Sequence, residues 1–257
     1  MDLGELLTEL RENILSDKSD QVAGASDYLW TDTTLIRYIN DAYFRFAQQA
    51  ECIRDNLTPE VTQIVTVANQ NLYQLHRSVI SVMSVRMSGD QADLARAGHS
   101  QLDTYHTPDT YFFDPGQLAN LPPGKALAFT TDEGVGQDDM GSYSAVLLRL
   151  YPMISAAYAG ITGSMRVIRL PLQRLSNPRD VPEVPERHHL DMLDWAAYLA
   201  LRKTDLDVAG GDAIQRAGQF KASFEAHVVE AKGVIKKKAF TPMQFQFGRN
   251  GFSYEKY

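Results

Sequence analysis

Cysteine is almost missing from this chain: Cys52 stands alone among 257 residues, which rules out an internal disulfide and suits a reducing compartment. No neighbour in sequence would activate that thiol, so it reads as a structural side chain rather than a nucleophile. Long apolar runs are missing too, and nothing approaches the ~20 residues of a membrane span. The opening MDLGELLTEL lacks the basic-then-apolar layout of a signal peptide, so the sequence suits a soluble intracellular or particle-borne protein. Positive charge is in short supply. With 25 Lys and Arg against 32 Asp and Glu, the net charge of −7 excludes a protein that wraps nucleic acid through a dominating basic surface. A Gly-rich phosphate loop and a serine elbow are both lacking, and Gly160-x-x-Gly163 is only a fragment of a nucleotide fingerprint.

What is present in abundance is apolar periodicity. In Thr31 to Glu51, the residues Leu35, Ile36, Ile39, Ala42, Tyr43, Phe46, Ala47 and Ala50 recur at threes and fours, which gathers them on one helical face. Arg37, Asn40, Asp41, Arg45, Gln48 and Gln49 are expected on the opposite side. Thr31 or Asp32 can cap this spine helix, with Trp30 folding back as a staple. Such a stripe needs other helices against it. Asp2 to Leu15 supplies one, with Leu3, Leu6, Leu7, Leu10 and Ile14 on one face, and the polar Ser16 to Tyr28 reads as a loop.

Beyond Asn56 the period shortens to that of strands. Val61–Val67 and Leu72–Leu75 are expected to form a hairpin about Asn69-Gln70-Asn71, followed by strands at Val79–Met87, Lys125–Thr130, Ala145–Tyr151 and Met165–Leu170. Ser88 to Asn120 carries only weak signals, and Thr131 to Ser142 reads as a turn-rich acidic loop. Prolines 171, 178, 182 and 185 punctuate the return to helix. Glu186–Lys203 is expected as a helix with the stripe Leu190, Leu193, Ala197 and Leu201. A loop broken by Gly210-Gly211 follows, then a helix capped by Asp212 running to about Lys238 with Ile214, Ala217, Phe220, Phe224, Val228, Ala231 and Ile235 aligned.

The expected class is therefore α+β: a helical bundle built from N- and C-terminal helices, with an inserted, mostly antiparallel β domain and an extended C-terminal arm. The expected boundaries are residues 1–58, 59–178, 179–238 and 239–257. Leu35, Ile39, Tyr43, Phe46, Leu193, Trp195, Phe220 and Phe224 are the expected helical core. The tail is unlike the rest: Pro242 stops the helix, yet Phe240, Met243, Phe245, Phe247, Phe252, Tyr254 and Tyr257 crowd into it. Disordered tails are poor in aromatics, so this one reads as an arm that orders on a partner, the alternative being a segment packed back on its own domain.

Chemistry finds little purchase. His188 and Asp191 share a helical face beside His189 and Asp194, but no further ligand pair follows at a metal-site spacing, and solvated polar residues opening a helix are the favoured reading. Asp132, Glu133, Asp138 and Asp139 do not match a calcium loop. His76, His99 and His106 are histidines that a distant nucleophile could use, although no serine elbow accompanies them, and Lys236, Lys237 and Lys238 are explained by the helix dipole. No catalytic residue, metal ligand or cofactor is assigned.

The pattern W-x-D-x-x-L-x-x-Y-I-N-D-A-Y, here Trp30 to Tyr43, resembles the signature helix of head-to-tail adaptor (connector, or head-completion) proteins of tailed bacteriophages, podovirus-like ones in particular. The order of helices, β insertion and helices is similar, as is the return segment Pro182-x-x-Pro-Glu-Arg-His-His-Leu leading into Leu193-Asp-Trp-Ala-Ala. The long Gly- and Asp-rich middle, Ser88 to Ser142, departs from that pattern. The resemblance implies a virion protein of the neck without chemistry of its own. It would form a ring of about twelve copies beneath the portal, prolong the DNA channel without specific binding to DNA, and present a surface to a tail or nozzle protein. The aromatic tail residues would bind the portal protein. At −7 each, the copies would line a lumen that lets DNA slide. Another neck or tail-completion component, or a metal-dependent hydrolase using His188 and Asp191, are the alternatives.

Overall fold

The computed structural model describes residues 1–17, 29–97, 122–138, 141–202, 206–239, 246–248 and 251–253. Its helices gather from both ends of the chain. The first, α1 (Leu3–Thr8), starts from an Asp2–Glu5 capping box and continues as a π-helical turn over Glu9–Ile14. The spine, α2 (Asp32–Ala50), is capped by Thr31, whose Oγ1 accepts from the Thr34 amide. Most of the Ser16–Tyr28 loop, residues 18–28, lies outside the described residues. A short helical turn, α3 (Pro59–Thr62), stands early in the β region, and after that region come α4 (Leu193–Arg202) and α5 (Leu206–Ala239).

Two of the expected helix boundaries need correction. The return helix does not begin at Glu186: a single 3-10 turn over Glu186–His188 precedes α4, and Leu190 is exposed instead of joining the stripe. Gly210-Gly211 does not break the last helix, which runs unbroken from Leu206 with Asp212 inside it. Each helical glycine costs about 1 kcal/mol, which 34 residues of continuous helix can absorb. Ile214 is exposed, whereas Ala217, Phe224, Val228 and Ala231 face inward.

The helical core joins Leu3, Leu6 and Leu10 to Leu35, Ile39, Tyr43 and Phe46 of α2, to Leu193, Trp195, Ala197 and Ala200 of α4, and to Ala217, Phe224 and Ala231 of α5. Phe220 packs against it half-buried. Phe224 is the hub: its ring meets Phe46 edge-on at 5.9 Å and Trp195 at 5.3 Å. Such aromatic pairs add roughly 0.5–1.5 kcal/mol beyond their buried area.

The middle of the chain forms two sheets. In the first, β8 (Thr162–Arg169) is central. It pairs antiparallel with β4 (Val79–Met87) on one side, and with β1 (Arg54–Asp55) and β2 (Gln63–Val65) on the other. The second has the order β3-β7-β6-β5, built from β3 (Leu72–Gln74), β7 (Gly141–Tyr151), β6 (Ala128–Asp138) and β5 (Ala95–Arg96), with only β5–β6 parallel. The expected hairpin about Asn69-Gln70-Asn71 is therefore not formed. Its first strand begins after a helical turn containing Val61 and pairs with β8, while its second pairs with β7. The expected turn-rich loop from Thr131 to Ser142 is also replaced: β6 and β7 pair continuously from Ala128↔Tyr151 to Asp138↔Gly141. The inner faces of the two sheets meet over Val82, Val85 and Val167 from one side and Phe129, Leu148 and Leu150 from the other.

Candidate assembly interface

The signature helix is a clamp for the returning chain. Asn40, expected on the polar side of α2, is buried, donating through Nδ2 to the Leu175 carbonyl at 2.9 Å and accepting at Oδ1 from the Leu175 amide at 2.8 Å. Asp41 Oδ2 accepts from Trp195 Nε1 at 2.9 Å, and the Arg45 guanidinium lies 3.8 Å over the Trp195 ring. Tyr43 Oη accepts from the Glu183 amide at 2.8 Å, while burial pushes its phenol well above the ordinary range. Three polar residues within one turn of α2 thus each hold a point 135 to 154 residues further on. That is the physical content of the N-D-A-Y motif.

Where sheet and helices join, Arg169 at the end of β8 is buried between two carboxylates. Its Nε donates to Asp55 Oδ2 at 2.6 Å, and its Nη1 lies 2.6 Å from Glu183 Oε2. Asp55 also accepts from the amides of Leu57 and Thr58, at 2.8 and 3.0 Å, and from the Thr58 hydroxyl at 2.7 Å. Burial alone would raise its carboxyl; these donors outweigh it and hold the group well below the usual carboxylate range. Since Glu183 also meets Tyr43, one network ties β1, β8 and the return segment to the spine. Nothing in the local pattern marks Asp55, Arg169 or Glu183: the pairing of β1 with β8 brings Asp55 to Arg169, and the return segment held by Tyr43 brings Glu183.

His188 and His189 are not solvated: both are buried. Arg187 Nε donates to His188 Nε2 at 2.9 Å, so the ring proton sits on Nδ1 and points to Asp191 Oδ2 at 2.8 Å. His189 Nε2 donates to the Val184 carbonyl at 2.9 Å. From α5, His227 Nδ1 approaches Asp194 at 3.3 Å, and burial raises the Asp194 carboxyl despite a bond from Ser223. Both nitrogens of His188 are engaged in packing α4 against its approach. Among the described residues, no group of three or more His, Cys, Asp or Glu side chains is placed to hold a metal ion. Cys52 is half-buried, and burial pushes its thiol up to about 11. His76 bonds within its own turn, through the Ser78 amide at 3.2 Å; His99 and His106 lie outside the described residues.

Two strand pairs carry the acidic stretch and part of the aromatic tail. The acidic stretch containing Asp132, Glu133 and Asp138 belongs to β6, with Asp139 outside the described residues. In the tail, β9 (Gln246–Gly248) and β10 (Gly251–Ser253) pair antiparallel, setting Phe247 opposite Phe252. Phe240, Met243, Phe245, Tyr254 and Tyr257 lie outside the described residues. No helix among the described residues is long and apolar enough to cross a membrane.

A helical clamp closed by polar ties and a two-sheet insertion define a structural assembly protein, a class whose function is carried by its surfaces. The family profile described as SU10 adaptor protein matches residues 1–239, and the chain belongs to that family of phage head-to-tail adaptors. As such it is a structural component of the bacteriophage virion. Among curated proteins, none matches the chain. The matched segment ends at the close of α5, so the aromatic tail lies beyond it.

Proposed function

We propose that this adaptor assembles as a ring of about twelve copies beneath the portal, prolongs the DNA channel and docks the tail or nozzle protein. The helical core, residues 1–58 with 179–238, is its scaffold; residues 59–178 are the inserted domain that faces the tail components. Residues 239–257 are an arm that binds the portal protein through Phe240, Met243, Phe245, Phe247, Phe252, Tyr254 and Tyr257. The observation that carries this reading is the family match over residues 1–239, followed in sequence by an aromatic tail that contains the pair β9–β10. Three-residue strands that, among the described residues, pair with each other alone are marginal in water. Such a ribbon gains stability when its free edges and aromatic side chains meet another surface, as in strand addition.

Native mass spectrometry of the protein mixed with portal rings of the same virus tests the reading. A single complex with a fixed number of copies per portal ring is expected. Free portal and free protein at every mixing ratio would overturn it.

A further inference from the structure

Four exposed arginines gather on one face of the helical core, although the chain as a whole is acidic. On the outward side of α2, Arg37, Asp41, Phe44 and Gln48 follow the spacing of a single helical face, with Arg45 one step round toward α4. The Arg45 guanidinium lies 3.8 Å over the Trp195 ring, which meets the Tyr198 ring at 4.8 Å. Arg202, one turn beyond Tyr198 on α4, lies 5.7 Å over that second ring and donates to its hydroxyl at 3.3 Å. Tyr38 is close enough to Arg202 to interact with its charge, and Arg37 lies 5.8 Å over the Tyr38 ring. From the return segment, Arg174 lies 5.9 Å over Phe44. The four guanidiniums form one strip, each laid against an aromatic ring.

None of the four has an ion-pair partner among the described residues. Asp41, the carboxylate of α2 within the strip, accepts from Trp195 Nε1 through Oδ2. Stacking holds a guanidinium flat without using its in-plane N–H groups, which stay free to meet an anion. An arginine ordered before its partner arrives also loses less freedom on binding. Two kinds of polyanion could use such a strip, and its surroundings separate them. A protein partner needs an apolar centre inside the charged rim, yet no large apolar side chain of α2 or α4 is exposed. Nucleic-acid interfaces are polar and positively charged, as this strip is.

We propose that the strip is a phosphate-contact site for duplex DNA, meeting backbone oxygens without reading sequence. The inference rests on the reading above, in which DNA passes through the adaptor, and names the side chains that touch it. A few phosphate contacts on an acidic chain give a weak, salt-sensitive hold, so the DNA is guided and still free to move.

Fluorescence anisotropy of a labelled random-sequence duplex, titrated with the full-length chain from about 20 to about 150 mM salt, tests the site. The wild type should bind at low salt, with log K falling against log salt at a slope of about −3 to −4, as expected for four phosphate contacts. Arg37→Gln with Arg45→Gln should reduce that slope by about 2, and adding Arg174→Gln and Arg202→Gln should abolish binding. Lysine at the same four positions should keep the slope and lower the affinity by about threefold, because the charge stays while the stacking goes. Retention of the slope by the lysine set also separates a lost contact from a lost fold. No binding by the wild type at the lowest salt would overturn the proposal. So would normal binding by the four-glutamine variant, with binding lost instead on Arg54→Gln with Arg166→Gln in the first sheet. Strip variants that bind DNA normally but no longer bind portal rings would give the strip to a protein partner and overturn it as well. The titration contains no portal, so a failed strip leaves the ring reading standing, and that reading falls only by its own count of copies per portal ring.

Discussion

At the scale of the residue, the fold depends on a few buried polar groups whose partners lie far away in sequence. Removing the Arg169 guanidinium leaves Asp55 and Glu183 facing each other in a poorly hydrated site, an arrangement that costs roughly 3–5 kcal/mol in buried pairs. Arg169→Ala should therefore lower the urea midpoint by more than any exposed arginine substitution, with Arg54→Ala as the control. The same site carries a pH signature. Asp55 has its carboxyl held below the unfolded value of about 3.9, so its contribution is complete above that value and is lost as pH falls through it toward the depressed folded value. Urea unfolding at pH 7 and about pH 3 should show the wild type losing more stability than Asp55→Asn does. Equal losses would mean that the Asp55 carboxylate does not carry this term.

At the scale of the element, the spine helix is legible because its period is long, clean and local: Leu35, Ile39, Tyr43 and Phe46 lie on the buried face that the spacing indicates. What the sequence hid was chiefly non-local. Asn40 looks like a surface residue until the Leu175 backbone, 135 positions away, is brought against it. The strands around Asn69 look like a hairpin because they are short and adjacent, yet β8 and β7 offer them better partners. Glycines misled twice. Gly134, Gly136 and Gly141 made a paired ribbon resemble a loop, and Gly210-Gly211 resembled a break inside a continuous helix. Glycine is a weak local signal whose cost depends on what surrounds it, and this is testable. Gly218 in α5 is exposed with open space where a Cβ would stand, so Gly218→Ala should stabilise by about 0.5–1 kcal/mol through helix propensity. Gly163 in β8 would set its Cβ 3.1 Å from both Ile64 and Met87, so Gly163→Ala should destabilise. Urea midpoints in the reverse order would contradict this reading of the two sites.

At the scale of the whole molecule, the chain divides its labour between an interior that closes on itself and surfaces that do not. The family match covers the first 239 residues, and the helical clamp lies within them. The central claim is that the aromatic tail seats the adaptor on the portal. Co-sedimentation with portal rings, comparing the full-length chain with a variant ending at Lys238, tests it most directly. The account predicts fixed-ratio binding by the full-length protein and at least about a hundredfold weaker binding by the shortened one, since a few aromatic anchors dominate such interfaces. Equal binding by both would contradict the claim and return the aromatic tail to a role within its own subunit.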